Sequence, residues 1–196
     1  MFMTCRVLLC GVGGQGTILA AHVAADVALA SGLDVKVSEI HGMAQRGGSV
    51  TTVVTFGREV KSMVSGAGES DLLVSFDKLE ALRNLDQLRS GGHLVVNDEV
   101  VKPASVLTGR ASLPGDSDAI LQDAGALMVP ADAIAREAGN AKCANVVMLG
   151  ALSALLDFDE ALWVDSVSAS VPPKTVDVNV AAFRAGRSFA EEHMVS

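Results

Sequence analysis

Residues 11–16, GVGGQG, constrain the fold of this chain more than any other stretch. They follow the apolar run RVLLC, which is typical of a buried strand in a parallel sheet. They precede TILAAHVAADVALASG, in which apolar residues recur at helical spacing and Gly32 stands where a helix commonly ends. The next segment, DVKVSEI, alternates like a second strand. Together these segments predict a right-handed βαβ unit.

The glycine turn has two interpretations. Gly11, Gly13 and Gly16 match the spacing of a dinucleotide-binding turn, in which glycines let a pyrophosphate approach the backbone at a helix N-terminus. Glu39, at the end of the second predicted strand, would then accept a hydrogen bond from a ribose hydroxyl. Alternatively, the glycines make only a tight strand-to-helix turn, and Gln15 hydrogen-bonds a partner or a ligand at its mouth. A P-loop is excluded because no lysine precedes the threonine after the motif.

A second loop, EIHGMAQRGGSV at residues 39–50, follows the second predicted strand. Arg46 carries its one permanent positive charge, and Gly47 and Gly48 beside it accept backbone angles closed to other residues. Open α/β sheets bind their ligands at the carboxyl ends of the strands, where this loop lies. Composition alone favours a plain connection with a solvated arginine.

The remaining chain predicts further strands and helices. SVTTVVTFG and EVKSMVSG, at residues 49–66, are typical of a β-hairpin that turns near Gly57. DLLVSF predicts a buried strand, and the next segment predicts a helix from an N-cap at Asp77 to Gly91, before the strand HLVVND. Residues 99–125 predict a long connection with a short helix over SDAILQDAG. ALMVP then predicts a strand, and the chain from ADAIAREAG onward predicts helices that are interrupted by the prolines at 172–173.

One of those helices suggests a third interpretation. NVVMLGALSALL predicts a helix capped by Asn145, with large apolar side chains on one side. Its other side carries only the small residues Gly150, Ala151, Ser153 and Ala154, which allow close contact with another helix. The chain could therefore be a scaffold module that dimerises through residues 146–156 and binds no small molecule.

Composition limits the partners and the compartment. A net charge of −8 at pH 7 argues against a nucleic-acid or anionic-membrane surface, and no apolar run is long enough to span a bilayer. The three cysteines form no C-x-x-C pair and cannot ligate a four-cysteine cluster or zinc site, so we expect a cytoplasmic chain that binds no metal itself. Residues 1–196 are expected to form a single Rossmann-like α/β domain, with a mainly parallel sheet, a β-hairpin insertion and helices on both faces.

The two glycine-rich loops, in their order and at their separation, resemble one protein family. GVGGQG followed by EIHGMAQRGGSV, and later by NVVMLGALSALL, is similar to the gamma subunit or gamma domain of 2-oxoacid:ferredoxin oxidoreductases. Members of that family act on pyruvate, 2-ketoisovalerate or 2-oxoglutarate, and the beta subunits of indolepyruvate ferredoxin oxidoreductases resemble the chain most. The resemblance runs from about Arg6 to Arg187.

The resemblance implies a function within a complex. Family members decarboxylate a 2-oxoacid oxidatively, form an acyl-CoA and pass electrons to ferredoxin. Thiamine diphosphate with magnesium, and iron–sulfur clusters, carry out this chemistry in other subunits or domains. The chain is therefore expected to be inactive alone, to bind none of these cofactors itself, and to dock on the subunits that carry them, helping to shape the substrate or CoA environment. A homodimer of the isolated chain is compatible with this role.

The resemblance also implies a common role for both loops. They are expected to lie at one edge of the sheet and to face the partner subunit, without a catalytic residue. Polar contacts with the partner would come from Gln15, His41, Gln45 and Arg46, and an apolar contact from Met43. Alternatively, Arg46 would meet a phosphate of CoA or a carboxylate. The free-standing dinucleotide-binding oxidoreductase and the dimeric scaffold remain alternatives. The candidate interface or cofactor-binding residues are Gly11, Gly13, Gly14, Gln15, Gly16, Glu39, His41, Met43, Gln45, Arg46, Gly47 and Gly48.

Overall fold

The computed structural model describes residues 4–41, 48–62 and 66–194, without the side chain of His41. The strands are β1 (Cys5–Val12), β2 (Asp34–His41), β3 (Ser49–Gly57), β4 (Ser70–Ser75), β5 (Leu88–Asn97) and β6 (Leu127–Val129). The helices are α1 (Thr17–Ala30), α2 (Lys78–Asn84), α3 (Ala104–Leu107), α4 (Ser117–Asp123), α5 (Ala131–Glu137), α6 (Ala144–Ser153), α7 (Glu160–Ser170) and α8 (Val176–His193). The strands form one six-stranded sheet within the described part of the chain, in the order β2-β3-β1-β4-β5-β6.

The sheet is parallel except for one inserted strand. β1, β4, β5 and β6 run parallel, each beside the next. β3 lies between β1 and β2 and runs antiparallel to both. β1 and β2 therefore point in the same direction but are not neighbours, so β3 splits the predicted strand–helix–strand unit. The expected α/β fold with a mainly parallel sheet is confirmed.

The predicted β-hairpin over residues 49–66 is wrong in the described part of its second strand, because residues 59–62 form no strand, whereas residues 63–65 lie outside the described residues. The hairpin insertion is formed by β2 and β3, which pair from Asp34–Gly57 to His41–Val50. Both edges of β3 are thus occupied by β1 and β2, so no edge is left for residues 59–62 to pair with β3. Val60 instead donates its N–H to Asp34 Oδ2 at 2.8 Å, which holds this segment beside the start of β2.

The helix predicted from Asp77 to Gly91 is shorter than expected. Asp77 caps it as predicted, by accepting hydrogen bonds from the N–H groups of Leu79 and Glu80. The helix ends at Asn84, and β5 begins after one short 3-10 turn. Gly91 lies within β5 at φ +70°, so it serves an irregular strand rather than a helix end. Strand pairing with β4 therefore overrides the local helical pattern.

The core has two layers because both faces of the sheet are covered by helices. Val7 and Leu9 of β1 belong to the larger apolar cluster, together with residues from α1, α5, α6, α7 and α8. Leu8 and Cys10 point the other way into a smaller cluster with α2 and α4. All four side chains are fully buried, as predicted for a strand of a parallel sheet. Among the described helices, none has the length and apolar composition that a membrane span requires.

The helix with small residues on one side is α6, and it packs against α8 of the same chain. A Cβ atom added to Gly150 of α6 would lie 2.0 Å from the carbonyl oxygen of Phe183 in α8. A Cβ atom added to Gly186 of α8 would lie 2.0 Å from the carbonyl oxygen of Val147. The two helices thus cross in backbone contact, and residues 146–153 are buried. This face is not available to a second copy of the chain, which removes the basis of the dimeric scaffold hypothesis.

Substitution of Gly150 by alanine should strongly destabilise the fold. The added methyl group requires α6 and α8 to separate, and overpacking of this kind costs about 3 kcal/mol, which exceeds the gain in helix propensity of about 1 kcal/mol. The midpoint of urea unfolding measures this loss. Gly115→Ala is the matched control, because a Cβ atom there meets nothing within 4 Å. Equal midpoints for the two variants would contradict the described helix crossing.

Candidate functional site

The two glycine-rich loops meet at one edge of the sheet. Because β1 and β2 are both antiparallel to β3, their carboxyl ends lie at the same edge. The N–H of Gly13 in the first loop donates to the carbonyl oxygen of Gly48 in the second, at 2.8 Å. The expected proximity of the two loops is therefore confirmed at this pair. His41 ends β2 beside Val50, whereas Met43, Gln45, Arg46 and Gly47 lie outside the described residues.

The glycine turn is held by hydrogen bonds within the chain. Gln15 Oε1 accepts from the N–H of Val12 at 2.7 Å, and Gln15 Nε2 donates to the carbonyl oxygen of Phe76 at 2.9 Å. The N–H of Gln15 donates to the carbonyl oxygen of Val12 at 3.0 Å. Together with the Gly13–Gly48 bond, these contacts satisfy the N–H groups of Val12, Gly13 and Gln15 within the chain. The side chain of Gln15 thus fastens the turn to the loop after β4.

The glycines of the turn are needed for different reasons. A Cβ atom on Gly11 would lie 2.9–3.0 Å from Gln15, Phe76 and Thr17. Gly16 has φ +83°, and a Cβ atom there would lie 2.5 Å from Asn145 Nδ2. Close packing accounts for both residues without a ligand, in agreement with the second interpretation of the turn.

The capping role predicted for Asn145 is wrong. The N-cap of α6 is Cys143, which makes no side-chain capping bond, and Asn145 lies in the first turn. Asn140, one short 3-10 turn earlier, accepts from the N–H of Lys142 at 3.0 Å and caps that turn instead. The side chain of Asn145 lies against Gly16, so it joins the start of α6 to the glycine turn.

The position of Glu39 does not favour the dinucleotide-binding alternative. With β3 inserted, Glu39 on β2 lies two strand spacings from β1, which is about 10 Å. Its Oε1 lies 3.1 Å from Nε2 of His22 on α1. A ribose bound at the glycine turn would therefore not find this carboxylate where a dinucleotide-binding fold places it.

Polar residues at the ends of β5 and β6 form a pocket that the sequence analysis did not identify. Asn97 is buried, and its Nδ2 lies 3.4 Å from Glu99 Oε2, from Asp132 Oδ2 and from the carbonyl oxygen of Phe76. The available signal was the polar residues near the carboxyl ends of two apolar strands, Asn97 and Glu99 at β5 and Asp132 three residues after β6, at the sheet edge where α/β folds bind ligands. The pocket has a volume of about 350 Å³. Its polar lining consists of Gln15, Asn97, Glu99, Asp132, Lys142 and Asn145.

The pocket lining has more acidic than basic side chains, since it includes Glu99 and Asp132 but a single cation, Lys142, among the described lining residues. Burial, then the neighbouring carboxylates Asp132 and Asp77, raise the pKa of Glu99, and the hydrogen bond from Gln15 lowers it in part. Such a lining suits hydrogen-bond donors or a cationic group better than a phosphate. In the described ranges, no three His, Cys, Asp or Glu side chains are grouped as metal ligands.

Comparison with known proteins identifies the family. Residues 6–189 match the family model described as pyruvate ferredoxin/flavodoxin oxidoreductase. The chain belongs to this family. Its relatives include the indolepyruvate oxidoreductase subunit IorB of Thermococcus kodakarensis, 39% identical over 194 residues that cover 95% of this chain and 96% of the relative. The 2-oxoglutarate synthase subunit KorC of Methanothermobacter thermautotrophicus is 32% identical over 198 residues, with 95% of each chain covered.

A solved structure supports the same family membership. The gamma subunit of a keto/oxoacid ferredoxin oxidoreductase from Geobacter sulfurreducens superposes with a TM-score of 0.72 at 25% identity. The match covers 96% of this chain and 99% of that subunit. The resemblance found in the sequence is thus confirmed, and the alternative of a free-standing dinucleotide-binding enzyme is not favoured.

Substitution of Glu99 by glutamine should stabilise this family member at neutral pH. Because the folded state raises the pKa of Glu99, the contribution of this group to stability is present below its ordinary pKa and is lost as the pH rises through the folded pKa. Glutamine keeps an oxygen that accepts from Gln15 and Asn97 but does not titrate. Thermal unfolding should show a higher melting temperature for the variant near pH 7, with the difference shrinking toward about pH 4. A difference that is constant with pH would contradict the raised pKa.

Proposed function

We propose that this chain is the gamma-type subunit of a 2-oxoacid:ferredoxin oxidoreductase complex. The complex decarboxylates a 2-oxoacid oxidatively, forms an acyl-CoA and passes electrons to ferredoxin. An indolepyruvate-type substrate is the first to test, because the relative at 39% identity is an indolepyruvate oxidoreductase subunit. The observation that carries the proposal is the match to such subunits over nearly the whole length of both chains.

The cysteines of the chain do not fit an iron–sulfur cluster. The sequence has three cysteines, and a four-iron cluster takes four thiolates. Burial raises the pKa of Cys10 and of Cys5 to about 12, which disfavours the thiolate form that ligates iron. The clusters and the thiamine diphosphate with its magnesium are therefore assigned to companion subunits, and this chain serves them by docking.

The docking surface is assigned to the edge where the two loops meet. This docking edge comprises the glycine turn, residues 41–48, the first turn of α1 and the end of β2. Two large apolar side chains are exposed near it, on opposite faces of the sheet because Glu39 next to Ile40 faces α1: Ile18 of α1 at 36% and Ile40 of β2 at 65%. Exposed apolar residues rimmed by polar groups are typical of protein interfaces. In this proposal His41, Met43, Gln45 and Arg46 contact the companion, and Gln15 holds the turn in place for them.

Reconstitution tests the proposed function. The purified chain alone should not oxidise indolepyruvate with CoA and a viologen acceptor. Addition of the thiamine-bearing companion encoded in the same genome should give viologen reduction that depends on both subunits. Turnover by the chain alone would contradict the proposal, as would a companion whose rate and stability do not change when the chain is added.

Charge substitutions on the docking edge should weaken association with the companion. Ile18→Arg and Ile40→Arg place a desolvated charge in the interface, and each should raise the dissociation constant about ten-fold or more. Leu29→Arg is the matched control, because Leu29 is 55% exposed at the other end of α1. Titration calorimetry measures the affinities, and melting temperatures verify the folds. Equal weakening by all three variants would place the docking surface elsewhere.

A further inference from the structure

Glu80 is a buried acid that helix capping does not explain. It lies in the first turn of α2 and is 3% exposed. Asp77 already caps that turn through the N–H groups of Leu79 and Glu80. An acid at this position of a helix commonly reaches back to the N–H of the capping residue. Here the side chain of Glu80 bonds elsewhere, and burial of a carboxylate costs free energy that an apolar side chain of similar size would not.

The two oxygens of Glu80 have different partners. Arg83, whose side chain is 57% exposed, donates to Oε1 at 2.6 Å. Ser49 Oγ donates to Oε2. The first contact is an ion pair near the surface within α2, whereas the second joins α2 to the first residue of β3.

Ser49 stands directly where the second loop enters the sheet. It pairs with Val12 across the β1–β3 ladder. Its neighbour Gly48 accepts the hydrogen bond from Gly13 that brings the two loops together. The hydrogen bond between Glu80 and Ser49 therefore holds the first residue of β3. The adjacent residue, Gly48, makes the one direct backbone hydrogen bond described between the two loops, to Gly13.

We propose that Glu80 is a positioning residue for the docking edge, acting through the hydroxyl of Ser49. The bond holds the start of β3 so that Gly48 stays in reach of Gly13, and it thereby sets where the chain enters β3. This inference rests on the proposed docking function only where it predicts a change in affinity for the companion subunit. The positioning itself is a property of the chain alone.

The matched pair Ser49→Ala and Ser49→Thr tests the proposal. Alanine removes the donor to Glu80, whereas threonine keeps the hydroxyl and suits a strand. Amide hydrogen exchange of Gly13 reports on its bond to Gly48. It should be about five-fold faster in Ser49→Ala than in the wild type, measured relative to buried amides of β4, and restored in Ser49→Thr. Glu80→Gln, which keeps an acceptor oxygen, should lie between the two.

The same variants separate a positioning role from a general loss of stability. In titrations with the thiamine-bearing companion, Ser49→Ala should raise the dissociation constant about five-fold, while the turnover number at saturating chain stays at the wild-type level. Exchange that rises equally at Gly13 and in β4, or that threonine does not restore, would overturn the positioning role. If the wild-type chain fails to bind the companion, the proposed function fails, and the exchange of Gly13 still decides the role of Glu80.

Discussion

The insertion of β3 between β1 and β2 is the constraint on which the site depends. It lets the chain leave the sheet at the end of β2 and return along β3 beside β1. The return delivers Gly48 to the glycine turn, where it accepts the hydrogen bond of Gly13. In a doubly wound fold, β1 and β2 would be neighbours, and the chain would continue from the end of β2 into a helix instead of returning beside β1. The antiparallel strand thus brings the end of the second loop into hydrogen-bond contact with the glycine turn.

The glycine turn shows how one backbone geometry can serve two purposes. In dinucleotide-binding folds, the free N–H groups after β1 face a phosphate. Here the N–H groups of Val12, Gly13 and Gln15 bond to atoms of the chain itself. Asn145 closes the other side against Gly16. The turn is therefore held by contacts within the chain and needs no ligand to satisfy these groups, as the proposed docking role requires.

The electrostatics of the neighbouring pocket agree with the proposed use of this edge for docking a protein. Glu99 and Asp132 gather beside the turn, and burial raises the pKa of Glu99. A phosphate would be repelled by these carboxylates, whereas a cationic or hydrogen-bond-donating group of a partner would be attracted. The pocket and the two loops lie side by side because both are built from the carboxyl ends of neighbouring strands.

The sequence by itself determined the elements whose signals are local. The apolar run of β1, the glycine turn, α1 up to Gly32 and the cap at Asp77 were readable, as was the family from its two loops. Periodicity and capping depend on residues only a few positions apart, so they are visible without a fold.

Only the tertiary structure decided which strand lies beside which, and therefore what the site contains. The alternation in β3 suits a partner on either side, and the pairing with β1 and β2 was settled by residues far apart in the chain. The same holds for the start of β5, for Asn145 beside Gly16, and for Asn97 between Glu99 and Asp132. These contacts join residues that are distant in sequence, and the local sequence pattern around one residue does not indicate which distant residue it contacts.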